Sequence, residues 1–186
     1  VLAAASTNLQ YSENEMIECT GHYFKNAKDV ARCWIYRKSY NFKTHGKLQA
    51  VDALARSCNI FFYELGTRLG FEELLLWYQK FGLAQPLSAK LTDYSATGSQ
   101  GHFPKDADIK RWKKRGEIAL ETISMSIGQG AITWTTLHAA AAYATLARGG
   151  IWKSTTVVQG MEQEVVDLKL NEIGVKLALN GLHNSV

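Results

Sequence analysis

The chain has 186 residues, 46% hydrophobic and 20% charged, with 2 prolines and a formal net charge of +4. It is long enough for one compact core and too apolar for a disordered segment, so one globular unit is expected. The longest clean apolar run, residues 139–147, falls far short of the ~18 residues that begin to suggest a membrane span.

Helical periodicity dominates in chain order. The opening VLAAAS reads as the tail of a helix begun upstream; with no initiator Met and no leader pattern, the chain is expected to start inside a longer or processed protein. Leu48, Val51, Leu54 and Ala55 recur at three- and four-residue spacing behind Thr44, a candidate cap, which predicts a helix over 47–56. Phe61, Phe62, Leu65 and Leu69 form the apolar face of a second helix stopped by Gly70. Residues 71–82, FEELLLWYQKFG, make a third, with acids in the first turn, Lys80 in the last and Gly82 beyond. Residues 87–104, rich in Ser, Thr, Gly and Gln, read as a long loop.

Residues 110–116, KRWKKRG, interleave an aromatic with five cations, a composition that nucleic-acid surfaces use. No recognised binding module surrounds them, so we read a solvated surface loop and expect no nucleic-acid partner. Residues 135–150 predict a fourth helix, capped by threonine and closed by Gly149 and Gly150. STTVVQG and EVVDLKL behind it offer only short strand-like runs.

Between the first two helices lies Ser57-Cys58-Asn59. Residues two apart on a helix face nearly opposite ways, so Ser57 and Asn59 can work on one substrate only if the helix breaks there. Asn59 would then cap the next helix with Ser57 on the same side, and Cys58 would point away. Taken alone, an S-x-N of this kind is more often a plain helix cap.

The flanks add to this. Residues 45–70, HGKLQAVDALARSCNIFFYELGTRLG, followed by WYQKFGL, resemble the S-x-N region of the class B penicillin-binding transpeptidases of the penicillin-binding protein 2 type. SIGQGAITWTTLHAAAAYATLARGG, residues 126–150, resembles the same family's S-I-G-Q-G turn and the helix behind it, with Thr136 where a proline is usual. IECTGHYF and RCWIY upstream of His45 also fit.

The resemblance implies an α+β fold of the serine β-lactamase-like class, with residues 1–186 a partial transpeptidase domain that is mainly its helical lobe. It implies a D-Ala-D-Ala transpeptidase that cross-links peptidoglycan stem peptides by serine acyl transfer and is trapped by β-lactams. Ser57 would be the proton-relay hydroxyl and Asn59 the carboxamide that orients substrate and lysine. Gly128, Gln129 and Gly130 would shape the cleft wall; as a bare G-x-G they lack the strand and further glycines of a dinucleotide loop.

The family works at the periplasmic face of the inner membrane, tethered by an N-terminal helix not present here. Its partners there are a membrane-embedded glycan polymerase and elongation proteins. The S-x-x-K nucleophile motif is expected before Val1 and the K-[ST]-G motif beyond Val186, because WKSTT (residues 152–156) has Thr155 where glycine belongs. A catalytically silent penicillin-recognising sensor or scaffold, and an unrelated helical interaction module, are the alternatives.

Cys19, Cys33, His45 and Cys58 form C-x13-C-x11-H-x12-C. Three thiolates and an imidazole suit a closed, structural zinc site, and a Cys58 turned from the cleft would face the segment bearing the others. A Cys19–Cys33 disulfide with Cys58 merely buried, or three separate core cysteines, are the competing arrangements.

Overall fold

A computed structural model of the chain describes residues 1–9, 11–83, 101–156 and 159–185. The first half carries α1 (Leu2–Asn8), β1 (Ile17–Cys19), β2 (Gly46–Leu48), α2 (Ala50–Ala55), α3 (Asn59–Leu69) and α4 (Phe71–Lys80). The second half carries α5 (Asp106–Arg115), α6 (Ile118–Ser126), α7 (Thr136–Ala147), β3 (Ile151–Lys153), β4 (Val165–Asp167) and α8 (Glu172–His183).

Helix α3 is the hub. Its buried Ile60, Phe61, Tyr63, Leu65 and Leu69 spread around most of its circumference, as a helix surrounded by others requires. It packs on α1, α4, α6 and β1, while α8 closes the body against α1 and α2. Small residues permit these approaches: a Cβ on Gly66 would lie 1.7 Å from Ser126 Oγ, and one on Gly174 would lie 2.3 Å from Ser6 Cβ.

Two short antiparallel ribbons flank the helices. β1 pairs with β2 in the register Ile17–Leu48, Glu18–Lys47 and Cys19–Gly46. β3 pairs with β4, Trp152 opposite Val166. Among the described residues the molecule is mostly helical, as the helical lobe of an α+β domain should be.

The third and fourth helices lie where expected. α4 gives way at Phe81 and Gly82, whose φ is +90°. α7 is capped by Thr135, whose hydroxyl accepts from the His138 amide at 3.3 Å. Other expectations need correction. The helix predicted over 47–56 starts at Ala50 with Gln49 as its cap, because residues 46–48 are taken up by pairing with β1; Thr44 caps nothing. The basic segment 110–116 is not a loop but the last turns of α5, ended by Gly116 in the left-handed region. There the cations complement the helix dipole while Trp112 is buried.

Helices α5, α6 and α8 were not anticipated. Of EVVDLKL, residues 165–167 form β4; STTVVQG forms no strand among its described residues. Most of the loop expected over 87–104 lies outside the described residues. Its end is tied down by a bridge between His102 and Thr133.

Candidate functional site

Helix α2 ends at Arg56 and α3 begins at Asn59, so the break expected at the S-x-N tripeptide is present. It is made by Ser57, whose φ of +52° is left-handed, a conformation costing a non-glycine residue about 1–2 kcal/mol. Cys58, rather than Asn59, is the cap residue of α3, and it makes no side-chain capping bond.

Ser57 and Asn59 both line a pocket of about 390 Å³. Apart from Ser126, its other walls are apolar and aromatic, including Phe62 of α3, Trp77 and Tyr78 of α4, and Trp134 and Tyr143. That character and size suit a small-molecule site with a few fixed polar groups. The Tyr78 hydroxyl donates to the Met125 carbonyl at 2.5 Å, fixing α4 to the end of α6. Ser126 and Ile127 line the pocket; Gly128, Gln129 and Gly130 follow in the turn directly behind and do not line it.

The opposite face of the turn is sulfur. Cys58 is fully buried, as are Cys19 and Cys33, and no disulfide joins them. One donor atom each from Cys19, Cys33, His45 and Cys58 lies within 4.8 Å of the others. Cys33 Sγ and His45 Nδ1 are 3.4 Å apart. A tetrahedral zinc with Zn–S and Zn–N bonds of about 2.3 and 2.1 Å spaces its ligands roughly 3.6–3.8 Å apart, so this donor set fits that ion in number and type, and its separations of up to 4.8 Å would have to tighten around it.

Electrostatics within the cluster are divided. Hydrogen bonds from the Cys19 and Cys58 thiols lower the Cys33 pKa, helped by the Asn59 and Ile35 amides. The same contacts raise Cys58, which shares its sulfur with Cys19 and Cys33 and is desolvated besides. Cys19 is also raised, chiefly through Cys33.

Cluster and turn are joined by bonds that sequence reasoning missed. Asn59 Nδ2 donates to the Arg32 carbonyl at 3.1 Å, beside Cys33, and Trp34 Nε1 donates to the Arg56 carbonyl at 3.0 Å, beside Ser57. Both acceptors are backbone atoms of segments far apart in sequence, so no residue pattern signals them.

Comparisons with known proteins agree with this geometry. The model of the penicillin binding protein transpeptidase domain matches residues 1–177. The peptidoglycan D,D-transpeptidase MrdA of Acinetobacter baumannii is 35% identical over 106 residues, which are 57% of this chain and 15% of that protein. The matched stretch thus spans about a seventh of the length of that curated relative.

Among solved structures, Pseudomonas aeruginosa PBP2 in complex with WCK 5153 superposes with a TM-score of 0.73 at 21% identity, over 97% of this chain and 41% of that one. Helicobacter pylori PBP2 in complex with MreC gives a TM-score of 0.73 at 23% identity, over 98% and 32%. A helical body that breaks at Ser57 to face a pocket, matched over nearly its whole length by one family, belongs to the penicillin binding protein transpeptidase domains.

Proposed function

We propose that this chain is the helical lobe of a peptidoglycan D,D-transpeptidase that cross-links stem peptides by serine acyl transfer and is acylated by β-lactams. The observation that carries the reading is the two-sided turn: Ser57 and Asn59 line one pocket wall while Cys58 between them is fully buried. Ser57 relays the proton of the attacking serine, and Asn59 holds the substrate amide and the catalytic lysine. No S-x-x-K occurs in the 186 residues, and Ile60 stands three after Ser57, so the nucleophile belongs to another part of the full-length protein. Gly128, Gln129 and Gly130 support the pocket wall from behind rather than touching substrate.

The reading places the protein at the periplasmic face of the inner membrane, beside a membrane-embedded glycan polymerase and elongation proteins. Its support is a family relative named as a peptidoglycan D,D-transpeptidase and a similar structure solved with MreC. Among the described residues no helix is long and apolar enough to cross a membrane. Labelling of the full-length protein with a fluorescent penicillin is the test. Ser57→Ala and Asn59→Ala should each slow acylation by about a hundredfold to ten-thousandfold without unfolding the protein, and this chain alone should not label. Unchanged rates in both variants reject the assigned roles; an unlabelled full-length protein makes the fold a silent scaffold.

The same turn is held by a structural zinc ion on Cys19, Cys33, His45 and Cys58. Bound there, zinc supplies cross-linking only, since four protein ligands leave no open position. Elemental analysis should find about one zinc per chain, and Cys58→Ser should lower the melting temperature. A metal-free protein with a Cys19–Cys33 bond in its mass spectrum would reject zinc.

A further inference from the structure

The segment between Gly21 and Lys47 has an unusual surface. It contains seven Lys or Arg residues against a single Asp, and every one of those cations is exposed. Large rings stand among them: Trp34 and Tyr40 are each 41% exposed and Phe42 is 52% exposed.

These rings are held, not loose. Trp34 meets Tyr40 edge-on with centroids 5.5 Å apart, Phe42 lies against Tyr36 at 5.4 Å, and the Arg37 guanidinium sits 4.8 Å from the Tyr40 centroid. The tip is strained as well. Asn41 and Phe42 are consecutive non-glycine residues in the left-handed region, with φ of +53° and +50°, at a cost of about 1–3 kcal/mol each. That expenditure displays an aromatic ring to solvent instead of burying it.

The surface is also tied to the S-x-N turn. The Arg32 carbonyl and the Trp34 indole make the two bonds to Asn59 and to Arg56 described above, so the segment is anchored at the turn that bears Ser57, although none of its residues lines the pocket.

We propose that residues 21–47 form a docking platform for the uncross-linked glycan strand, with Trp34, Tyr40 and Phe42 stacking on sugar rings while the surrounding Lys and Arg residues pair with the stem-peptide carboxylates. The inference rests on the transpeptidase reading and extends it from the reacting peptide end to the polymer that carries it. Flat rings offer apolar faces to the C–H faces of sugars, as they do to other apolar surfaces. A field this one-sided selects an anionic partner and steers its approach. A bare peptide would use the cations but leave the rings unused. A neutral glycan would do the reverse, so the polymer bearing both is the ligand that satisfies the whole surface.

The test titrates the full-length protein with a soluble glycan oligomer carrying stem peptides, with the same oligomer stripped of peptide, and with free stem peptide. Two variants are compared, Phe42→Ala and the pair Lys38→Glu with Lys43→Glu. The peptide-bearing oligomer should bind at least about tenfold more tightly than either component, and each variant should weaken it by about tenfold or more. Rates of acylation by penicillin, which is too small to reach the platform, should stay at the wild-type value.

Should Phe42→Ala fail to fold, the charge-reversed pair decides the matter, since its side chains are exposed. Equal affinity of wild type and a folded variant for the oligomer overturns the platform. So does a loss confined to binding of anionic vesicles or polynucleotides, with glycan binding intact. Failure of the wild type to label with penicillin removes the catalytic reading instead, and the titration still decides the platform.

Discussion

At the scale of the residue, Ser57 sets stability against chemistry. Its φ of +52° suits glycine, so Ser57→Gly should be more stable than Ser57→Ala by about 1 kcal/mol. Both should lose acylation equally, because both lack the hydroxyl. Urea unfolding and penicillin labelling of the two variants check this, and equal stabilities would show that the backbone is unstrained. Tyr78 offers a titration. Burial pushes its phenol from 10.0 up to about 12, so the folded protein holds it neutral. Below pH 10 nothing is lost. Between pH 10 and about 12 the unfolded chain ionises while the folded one does not, and stability falls as pH rises, by at most about 1.4 kcal/mol per unit. Tyr78→Phe should cost about 1 kcal/mol at neutral pH through the lost bond to Met125 and flatten that decline. Identical slopes above pH 10 in unfolding titrations would reject it. The polar residues of the turn stood out in the sequence as chemical types at a spacing. What holds them did not, because the acceptors at Arg32 and Arg56 are carbonyls, common to every residue.

Among the elements, the contact between α3 and α6 depends on one missing methyl. Helix propensity alone would favour Gly66→Ala by about 1 kcal/mol. A Cβ there would overlap Ser126 at both Oγ and Cβ, and overpacking of this kind costs about 1–3 kcal/mol. The variant should therefore melt lower, and α6 should shift with the Ser126–Ile127 part of the pocket wall. A raised melting temperature would show that the helices separate freely. The same elements show what periodicity can and cannot reveal. α4 and α7 carry their own punctuation, acids and a capping threonine at one end and glycines near the other, so they were legible. α5 hides because Trp112 is its sole buried side chain. α6 hides because polar Thr122 and Ser126 stand on its buried face; each returns its hydroxyl to a carbonyl four residues back, at 2.7 Å. The shortened α2 reflects a competition no local window sees. Gly46, Lys47 and Leu48 are drawn into a ribbon by residues 17–19, and tertiary pairing wins over a modest helical preference.

For the whole molecule, the resemblance read from two separated motifs and the match over residues 1–177 describe the same body. The apolar core is shared by helices from both halves, including Leu2 near one end and Val175 near the other. The segment from Thr20 to Thr44 is different in kind, because within it Gly21 and Cys33 are the buried residues. It adds Cys33 to the core and only lays the half-buried Tyr23, Phe24, Ala31, Ile35 and Tyr36 against it. Its shape depends on its ends, where Cys19 and His45 meet Cys33 and Cys58. Linking Cys19 to Cys58 closes a loop of about 40 residues, and a cross-link of that span restrains the unfolded chain by roughly 4 kcal/mol on a loop-entropy estimate. The chain should therefore open in two stages. Amide exchange at Tyr23 and Cys33, whose hydrogens go to Ala31 and Gly21, should follow release of the proposed metal. Exchange at the centre of α3 should wait for global unfolding. Adding a chelator should accelerate the first set and leave the second protected, as hydrogen exchange read by mass spectrometry can resolve. A uniform rise across both would mean that the cysteine-anchored loop and the helical core are one cooperative unit.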